Sequence, residues 1–312
     1  MSCMHPLVAK KSRFKNHKGK YTLKIVNKDH FADELINPAD ESQWEYINLP
    51  CGKCAGCQRD RARDWMVRNC LEAMTSKSAY FFTITYDEDH MDSLELVRED
   101  LMTFIRTLRD SQRYYYDNDN IRYFGCGEYG GANGRRHFHL ILYNAIIQDL
   151  EPCKVSSGEL LYSSKYIDSL WTKGFIWIGV AKPGSMMYVA QYVFKKQKKN
   201  RDGEYDFAPE FVCCSTMPGI GYDWLFHHRS DIVRDHGVYL FTDHRWKLFP
   251  PPKYFYKICE NINFDCQSVK DYWLKRMYED VDEHILHDKS MRDEAYSLEK
   301  LVEAQNRMRG TI

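Results

Sequence analysis

No stretch of this 312-residue chain approaches the roughly 20 consecutive apolar residues that a membrane-crossing helix needs, and no hydrophobic signal segment follows Met1. A membrane protein and a signal-led secreted protein are thereby set aside, and a reducing cytoplasm is the simplest expected location. Net charge is missing as well. The 44 Lys and Arg balance the 44 Asp and Glu, so no global basic field advertises a nucleic-acid partner. There is no internal repeat and no long low-complexity linker. A Gly-x-x-x-x-Gly-Lys-[Ser/Thr] phosphate loop is also absent, which excludes a fused P-loop motor. The 11 cysteines, an odd number in a chain of this size, do not form the framework of a secreted disulfide protein; they read as thiols, some of them as metal ligands.

What is present is ordinary for a folded protein: 44% hydrophobic and 28% charged residues, enough for one large domain or two smaller ones with a real core. Aromatics are plentiful, led by 22 Tyr, and suit a surface that stacks on bases, although core filling accounts for most of them. Charge is local. Lys10, Lys11, Arg13, Lys15, Lys18 and Lys20 form one basic stretch and Lys195, Lys196, Lys198, Lys199 and Arg201 another, whereas the tail from Glu279 is rich in acids. Runs of this kind are more often solvated faces than binding sites.

Residues 79–86, β-branched and aromatic, read as a buried strand, and Leu94, Val97, Leu101, Phe104, Ile105 and Leu108 mark an amphipathic helix over 94–115. Two strand-like runs, 121–128 and 136–143, flank a glycine-rich turn and predict a hairpin. Residues 158–172 read as helix, 174–180 as strand and 184–199 as helix. That order predicts an α+β domain of ferredoxin-like or RRM-like type, with helices flanking a central antiparallel sheet. The expected organisation is an N-terminal basic and Cys-rich segment (1–75), a core (76–205) and an extension (206–312). In that extension 207–266 wraps the core irregularly and 268–308 is a polar helical tail.

The segment Arg136-His137-Phe138-His139-Leu140 carries the most chemistry. Alternate side chains of a strand share a face, so His137 and His139 point the same way and Phe138 the other. Across the predicted hairpin Glu128 opposes His137, and opposed residues project from one face. Two imidazoles and a carboxylate would hold a hard divalent ion, Mg²⁺ or Mn²⁺, while leaving room for substrate oxygens; Zn²⁺ fits the ligand types too. The competing reading is an amphipathic strand with a solvated glutamate in its turn. Further on, Tyr188 and Tyr192 lie one helical turn apart on a common face, which Lys195 or Lys196 continues. Tyrosine, with a pKa of about 10, is a poor nucleophile unless a cation is near. Paired tyrosines are commonly packing residues, but downstream of a metal-ligand strand they point to transesterification of nucleic acid.

The set Thr83-Ile84-Thr85-Tyr86, Gly127-Glu128-Tyr129-Gly130, His137-Phe138-His139-Leu140, Trp171-Thr172-Lys173-Gly174-Phe175 and Tyr188-Val189-Ala190-Gln191-Tyr192 resembles the replication initiators of gokushovirus-like microviruses. These belong to the wider histidine-hydrophobic-histidine (HUH) endonucleases that start rolling-circle replication. The resemblance runs from about residue 50 to 225 and includes Pro50-Cys51-Gly52-Lys53-Cys54 and Pro218-Gly219-Ile220-Gly221. It implies a sequence-directed nick in one DNA strand and a tyrosine linked to the 5′ phosphate. The free 3′ hydroxyl would then prime a host polymerase, and the displaced circle would be religated. Carried over, Glu128, His137 and His139 would be metal ligands, Tyr188 and Tyr192 nucleophiles, and Lys195 and Lys196 phosphate contacts; no other cofactor is expected. Single-stranded origin DNA would be the substrate and a host helicase a partner, since no motor is present. The place of action would be the bacterial cytoplasm, as a non-structural viral protein.

Cys51, Cys54 and Cys57 have metal-knuckle spacing, and Cys70 comes within reach if 58–70 is a helix folding back, which makes a structural Zn²⁺ a candidate beside the plainer reading of reduced thiols. The helix with Arg59, Arg61, Arg63 and Arg68 could meet DNA phosphates, although Asp60 and Asp64 argue for a mixed solvated face; His90, His227 and His228 read as surface residues. Two alternatives stand beside the initiator: an HUH transposase or relaxase with the same chemistry, and a non-enzymatic zinc-containing nucleic-acid-binding protein. A covalent protein–DNA adduct separates the last from the other two.

Overall fold

A computed structural model of the chain describes residues 3–17, 21–26, 43–90, 95–130, 134–156, 158–192, 208–242 and 244–278. These divide into two compact units, with the boundary after Asp60. In the first, β1 (Leu7–Lys15), β2 (Tyr21–Ile25) and β3 (Trp44–Leu49) form an antiparallel sheet in the order β2-β1-β3. Lysines on both faces of β1 hide the period-two signal, which is why the sequence pattern gives no strand there. Helix α1 (Ala55–Thr75) starts in this unit and runs into the second, longer at both ends than the expected 58–70.

The second unit is built on a seven-stranded antiparallel sheet. Its strands are β4 (Ala79–Tyr86), β5 (Arg122–Tyr129), β6 (Arg136–Tyr143), β7 (Glu151–Ser156), β8 (Glu159–Ser163), β9 (Gly174–Val180) and β10 (Phe211–Cys214). Their spatial order is β10-β5-β6-β4-β9-β8-β7. The expected mixed architecture of helices on an antiparallel sheet is therefore present. Strand alternation divides the apolar residues between two layers. Phe82, Ile84, Phe138, Leu140, Leu142 and Ile176 turn toward helix α2 (Arg98–Tyr116), whose Leu101, Phe104, Ile105 and Leu108 recur at helical spacing and are all buried. Trp171 closes this layer, its indole N–H donating to the Thr85 carbonyl at 3.0 Å. The opposite face, with Phe124, Cys126, Ile141 and Tyr143, packs on α1, α4 (Pro183–Gln191), α5 (Tyr222–Asp235) and α6 (Lys253–Asn261).

Several local expectations need correction. Helix α2 begins at Arg98, because Val97 is extended; Leu94 lies outside the described residues. Residues 158–172 are not one helix. Gly158, at φ 80°, turns the chain from β7 into β8, and only α3 (Lys165–Leu170) is helical, capped by the Ser164 hydroxyl accepting from the Ile167 N–H at 3.1 Å. Leu160, Leu161 and Tyr162 fit a helical wheel as well as a strand, and pairing decided between them. The segment 207–266 is more ordered than expected: it contains β10, α5, the hairpin β11 (Val238–Thr242) and β12 (Arg245–Phe249), and α6. Of the expected helix 184–199, α4 covers the start, and the part from residue 193 lies outside the described residues. Of the tail over 268–308, α7 (Gln267–Tyr278) is described.

One buried ion pair ties this layer together. The Arg122 Nε donates to Glu72 Oε1, Arg122 Nη2 to the Pro218 carbonyl at 2.9 Å, and the Gly221 N–H to Glu72 Oε2 at 2.6 Å. Both side chains are shielded, so removing one leaves the other charge buried without its counterion, at a cost of about 3–5 kcal/mol. Glu72→Ala is expected to lower the melting temperature by roughly 10 °C. A calorimetric shift of only a degree or two would remove this pair from the stabilising interactions.

Candidate active site

The β5–β6 hairpin closes through the Gly130 N–H donating to the Arg135 carbonyl and the Gly134 N–H to the Gly130 carbonyl, both at 2.9 Å. Gly134, at φ 61°, takes the left-handed turn that side chains resist. This sets Glu128 directly against His137, and Cys126 against His139, as the sequence pattern predicts. On the other side β4 places Thr83 against His139 and Thr85 against His137.

Glu128, His137 and His139 are all about 95% or more shielded from solvent, and their donor atoms lie within 4.8 Å of one another. His137 Nε2 is 2.8 Å and His139 Nε2 2.9 Å from Glu128 Oε1. Each imidazole is held from behind: His137 Nδ1 lies 3.0 Å from the Arg135 carbonyl and His139 Nδ1 3.3 Å from the Thr83 hydroxyl. Donation from His137 Nδ1 to the carbonyl leaves the Nε2 lone pair facing inward, the orientation that metal-ligating histidines adopt. Phe81 stacks on the His139 ring with 5.2 Å between centroids, fixing its plane. Burial opposes the charge on Glu128, but the hydrogen bonds from His137 and His139 outweigh it and hold the carboxyl well below its usual range.

Helix α4 brings in the tyrosines. Pro183 stands in its first turn, where a missing N–H costs nothing, and the Lys182 N–H donates to the Ser185 hydroxyl at 2.8 Å. Met186, Val189 and Ala190 bury one side of the helix, which sets the rotation at which Tyr188 reaches the trio. The Tyr188 hydroxyl donates to Glu128 Oε1 at 2.9 Å and lies 3.3 Å from His139 Nε2. The Tyr192 hydroxyl donates to that of Tyr188 at 2.9 Å, one step further out. Burial, then the Glu128 charge, push both phenols above their ordinary value. In this state both are neutral, and activation requires a positive charge close by.

The donor set fits a divalent cation: two imidazole nitrogens facing inward and one carboxylate, each held by a second partner, in a pocket that excludes water. Thr83 and Phe81 were not identified as parts of the site, because their role exists only through the β4–β6 register. Thr83→Val keeps the shape and deletes the hydroxyl. Its expected effect is a loss of roughly tenfold in Mn²⁺ affinity by titration calorimetry, with little change in melting temperature. Unchanged affinity would mean that His139 needs no support from Thr83.

Other sequence candidates fall elsewhere. Lys195 and Lys196 lie outside the described residues. Arg68 is no phosphate contact: its guanidinium lies between the Trp65 and Tyr254 rings at 4.0 and 4.2 Å, and its Nε donates to the Ile220 carbonyl. His90 pairs with Asp87 and His228 with Asp231 at the surface, and His227 is exposed. Cys70 does not join the other cysteines. It is buried with its Sγ 3.6 Å from Met66 Sδ, and burial pushes its thiol up to about 12. Cys3 stands with Cys51, Cys54 and Cys57 instead.

Residues 79–197, which span β4 through α4 and so contain the trio and both tyrosines, match the family model for the replication-associated proteins ORF2 and gene 2 protein. The chain belongs to this family of replication-associated proteins. It is similar to the replication-associated protein ORF2 of Spiroplasma virus 4, with 31% identity over 266 residues, or 82% of this chain and 79% of that one. It also resembles the replication-associated protein VP4 of Bdellovibrio phage phiMH2K (33% over 188 residues, 58% of this chain and 59% of the relative). A third relative is the replication-associated protein ORF4 of Chlamydia phage 1 (31% over 153 residues, 47% and 38%). These relatives are microvirus proteins. No solved structure matches the chain. Among the described residues, no helix is long and apolar enough to cross a membrane.

Proposed function

We propose that this protein is a rolling-circle replication initiator, an HUH-type nickase and strand transferase that cleaves one strand of origin DNA through a 5′-phosphotyrosine intermediate. One observation carries the reading: a tyrosine hydroxyl, a carboxylate and two inward-facing imidazole nitrogens meet in one buried pocket, within the span that matches a replication-associated family. The order β9-β4-β6-β5, with the β5–β6 hairpin carrying the trio, supports the ferredoxin-like arrangement expected of such enzymes. In this reading residues 76–205 are the catalytic core, flanked by the Cys-rich segment and the C-terminal extension.

Glu128, His137 and His139 would hold Mg²⁺ or Mn²⁺, which when bound supplies Lewis-acid polarisation of a phosphodiester oxygen. The chain's own residues do the rest. Tyr188 is assigned the first attack because its hydroxyl alone reaches the trio directly, whereas Tyr192 reaches it through Tyr188. The phenol oxygen forms the new bond to phosphorus as the bond from phosphorus to the 3′ oxygen breaks. The departing oxygen takes a proton and leaves a 3′ hydroxyl for a host polymerase. Glu128 accepts from the phenol and keeps its proton directed while substrate enters. Tyr192 then serves the second transfer, which closes the displaced circle. Strand separation falls to a host helicase.

The test uses single-stranded oligonucleotides tiling the genome that encodes the protein, each labelled at the 3′ or the 5′ end and incubated with Mn²⁺. On a denaturing gel one sequence should give a 3′-labelled band shifted by the mass of the protein, and a shorter free fragment when labelled at the 5′ end. A shifted 5′-labelled band, or simple hydrolysis without an adduct, would overturn the mechanism.

A further inference from the structure

The four cysteines Cys3, Cys51, Cys54 and Cys57 form a second candidate metal centre, unconnected with the tyrosine chemistry. We infer that they hold a structural zinc ion as a closed tetrathiolate, with Cys3 as the fourth ligand. Their sulfurs lie within 4.8 Å of one another; Cys51 and Cys57 are 4.0 Å apart and Cys54 and Cys3 are 3.9 Å apart. A tetrahedral site with Zn–S bonds of about 2.3 Å requires sulfurs about 3.8 Å apart, whereas a disulfide holds them at about 2 Å. All four are free thiols at the wider spacing.

The backbone is arranged for negative sulfur. The Lys53 and Cys54 N–H groups donate to Cys51 Sγ at 3.5 and 3.4 Å, the Met4 N–H to Cys54 Sγ at 3.4 Å, and the Cys51 N–H to Cys3 Sγ at 3.2 Å. Gly52, at φ 73°, makes the tight turn that aims successive amides at one sulfur. Amide donors around metal-bound thiolates spread their charge and orient them. Three chain segments meet at this point. Cys3 lies before β1, Cys51 after β3, and Cys54 and Cys57 lie at the start of α1. The ladder between β1 and β3 ends at the pair Leu7 and Leu49, just short of Cys3 and Cys51. The ion would therefore pin the open end of a three-stranded sheet too small to bury a core of its own.

The test is metal content and thiol protection in the full-length protein, carried in a His137→Ala, His139→Ala background so that the other site retains no metal. About one zinc per chain is expected, falling close to zero in Cys3→Ser and staying at about one in Cys70→Ser. Native alkylation read by peptide mass should spare Cys3, Cys51, Cys54 and Cys57 until a chelator is added, while exposed Cys153 reacts at once. Cobalt replacing the zinc should show the absorption of tetrahedral thiolate coordination. Iron in place of zinc, zinc retained in Cys3→Ser, or four thiols that alkylate as fast as Cys153 would each overturn the inference.

Discussion

In a Tyr188→Phe, Tyr192→Phe double variant, covalent adduct with origin DNA should fall by on the order of 10⁴-fold or more, since no other group can form the phosphotyrosine bond. The two single variants should not be equal. Tyr188→Phe removes the hydroxyl that lies 2.9 Å from Glu128, so its first-turnover rate should collapse. Tyr192→Phe leaves that hydroxyl in place and should spare the first cleavage while blocking the return transfer, measured as accumulation of uncircularised product. Folding is not the cause of either loss. Both rings keep their packing, and the bond between the two hydroxyls is worth about 1 kcal/mol, visible as a small shift in melting temperature. Full adduct formation in the double variant would remove both residues from the chemistry.

The second large effect concerns the trio. His137→Ala should reduce Mn²⁺-dependent cleavage by roughly 10³-fold or more, because a buried carboxylate and a single imidazole bind a divalent ion poorly. DNA affinity by fluorescence anisotropy should change only a few-fold, since binding rests largely on phosphate contacts elsewhere on the protein. Glu128→Gln has the same shape without the charge, and it separates two roles. Loss of metal binding together with cleavage makes Glu128 a ligand; loss of cleavage with metal binding intact makes it the acceptor for the Tyr188 hydroxyl alone. Equal loss of cleavage and of DNA binding in His137→Ala would count against a metal role, because it would mean that the hairpin had unfolded.

Much of this site was legible in the sequence, and the reason is the strictness of strand geometry. Period-two alternation puts His137 and His139 on one face whatever the rest of the fold does, and a short hairpin leaves little freedom in the position of Glu128. A pair of tyrosines four apart on a helix likewise shares a face without tertiary help. Helix α2 was legible for the same reason, since Leu101, Phe104, Ile105 and Leu108 match a single period.

What failed was decided by partners distant in sequence. Residues 159–163 carry a pattern compatible with helix or strand, and the neighbouring β7 settled it. Cys70 had suitable spacing for a fourth thiol, but the helix continued straight into the core, and its place was taken by Cys3, brought in by the β1–β3 ladder. Thr83 and Phe81 support His139 only because β4 lies against β6 in one register. Local chain geometry thus determined which residues offer ligands and nucleophiles. Only tertiary structure determined that they share one buried pocket, that Tyr188 and not Tyr192 reaches it directly, and which cysteine completes the other cluster. Periodicity is a property of a few consecutive residues, whereas convergence depends on strand order and helix rotation, which are set by how the whole core packs.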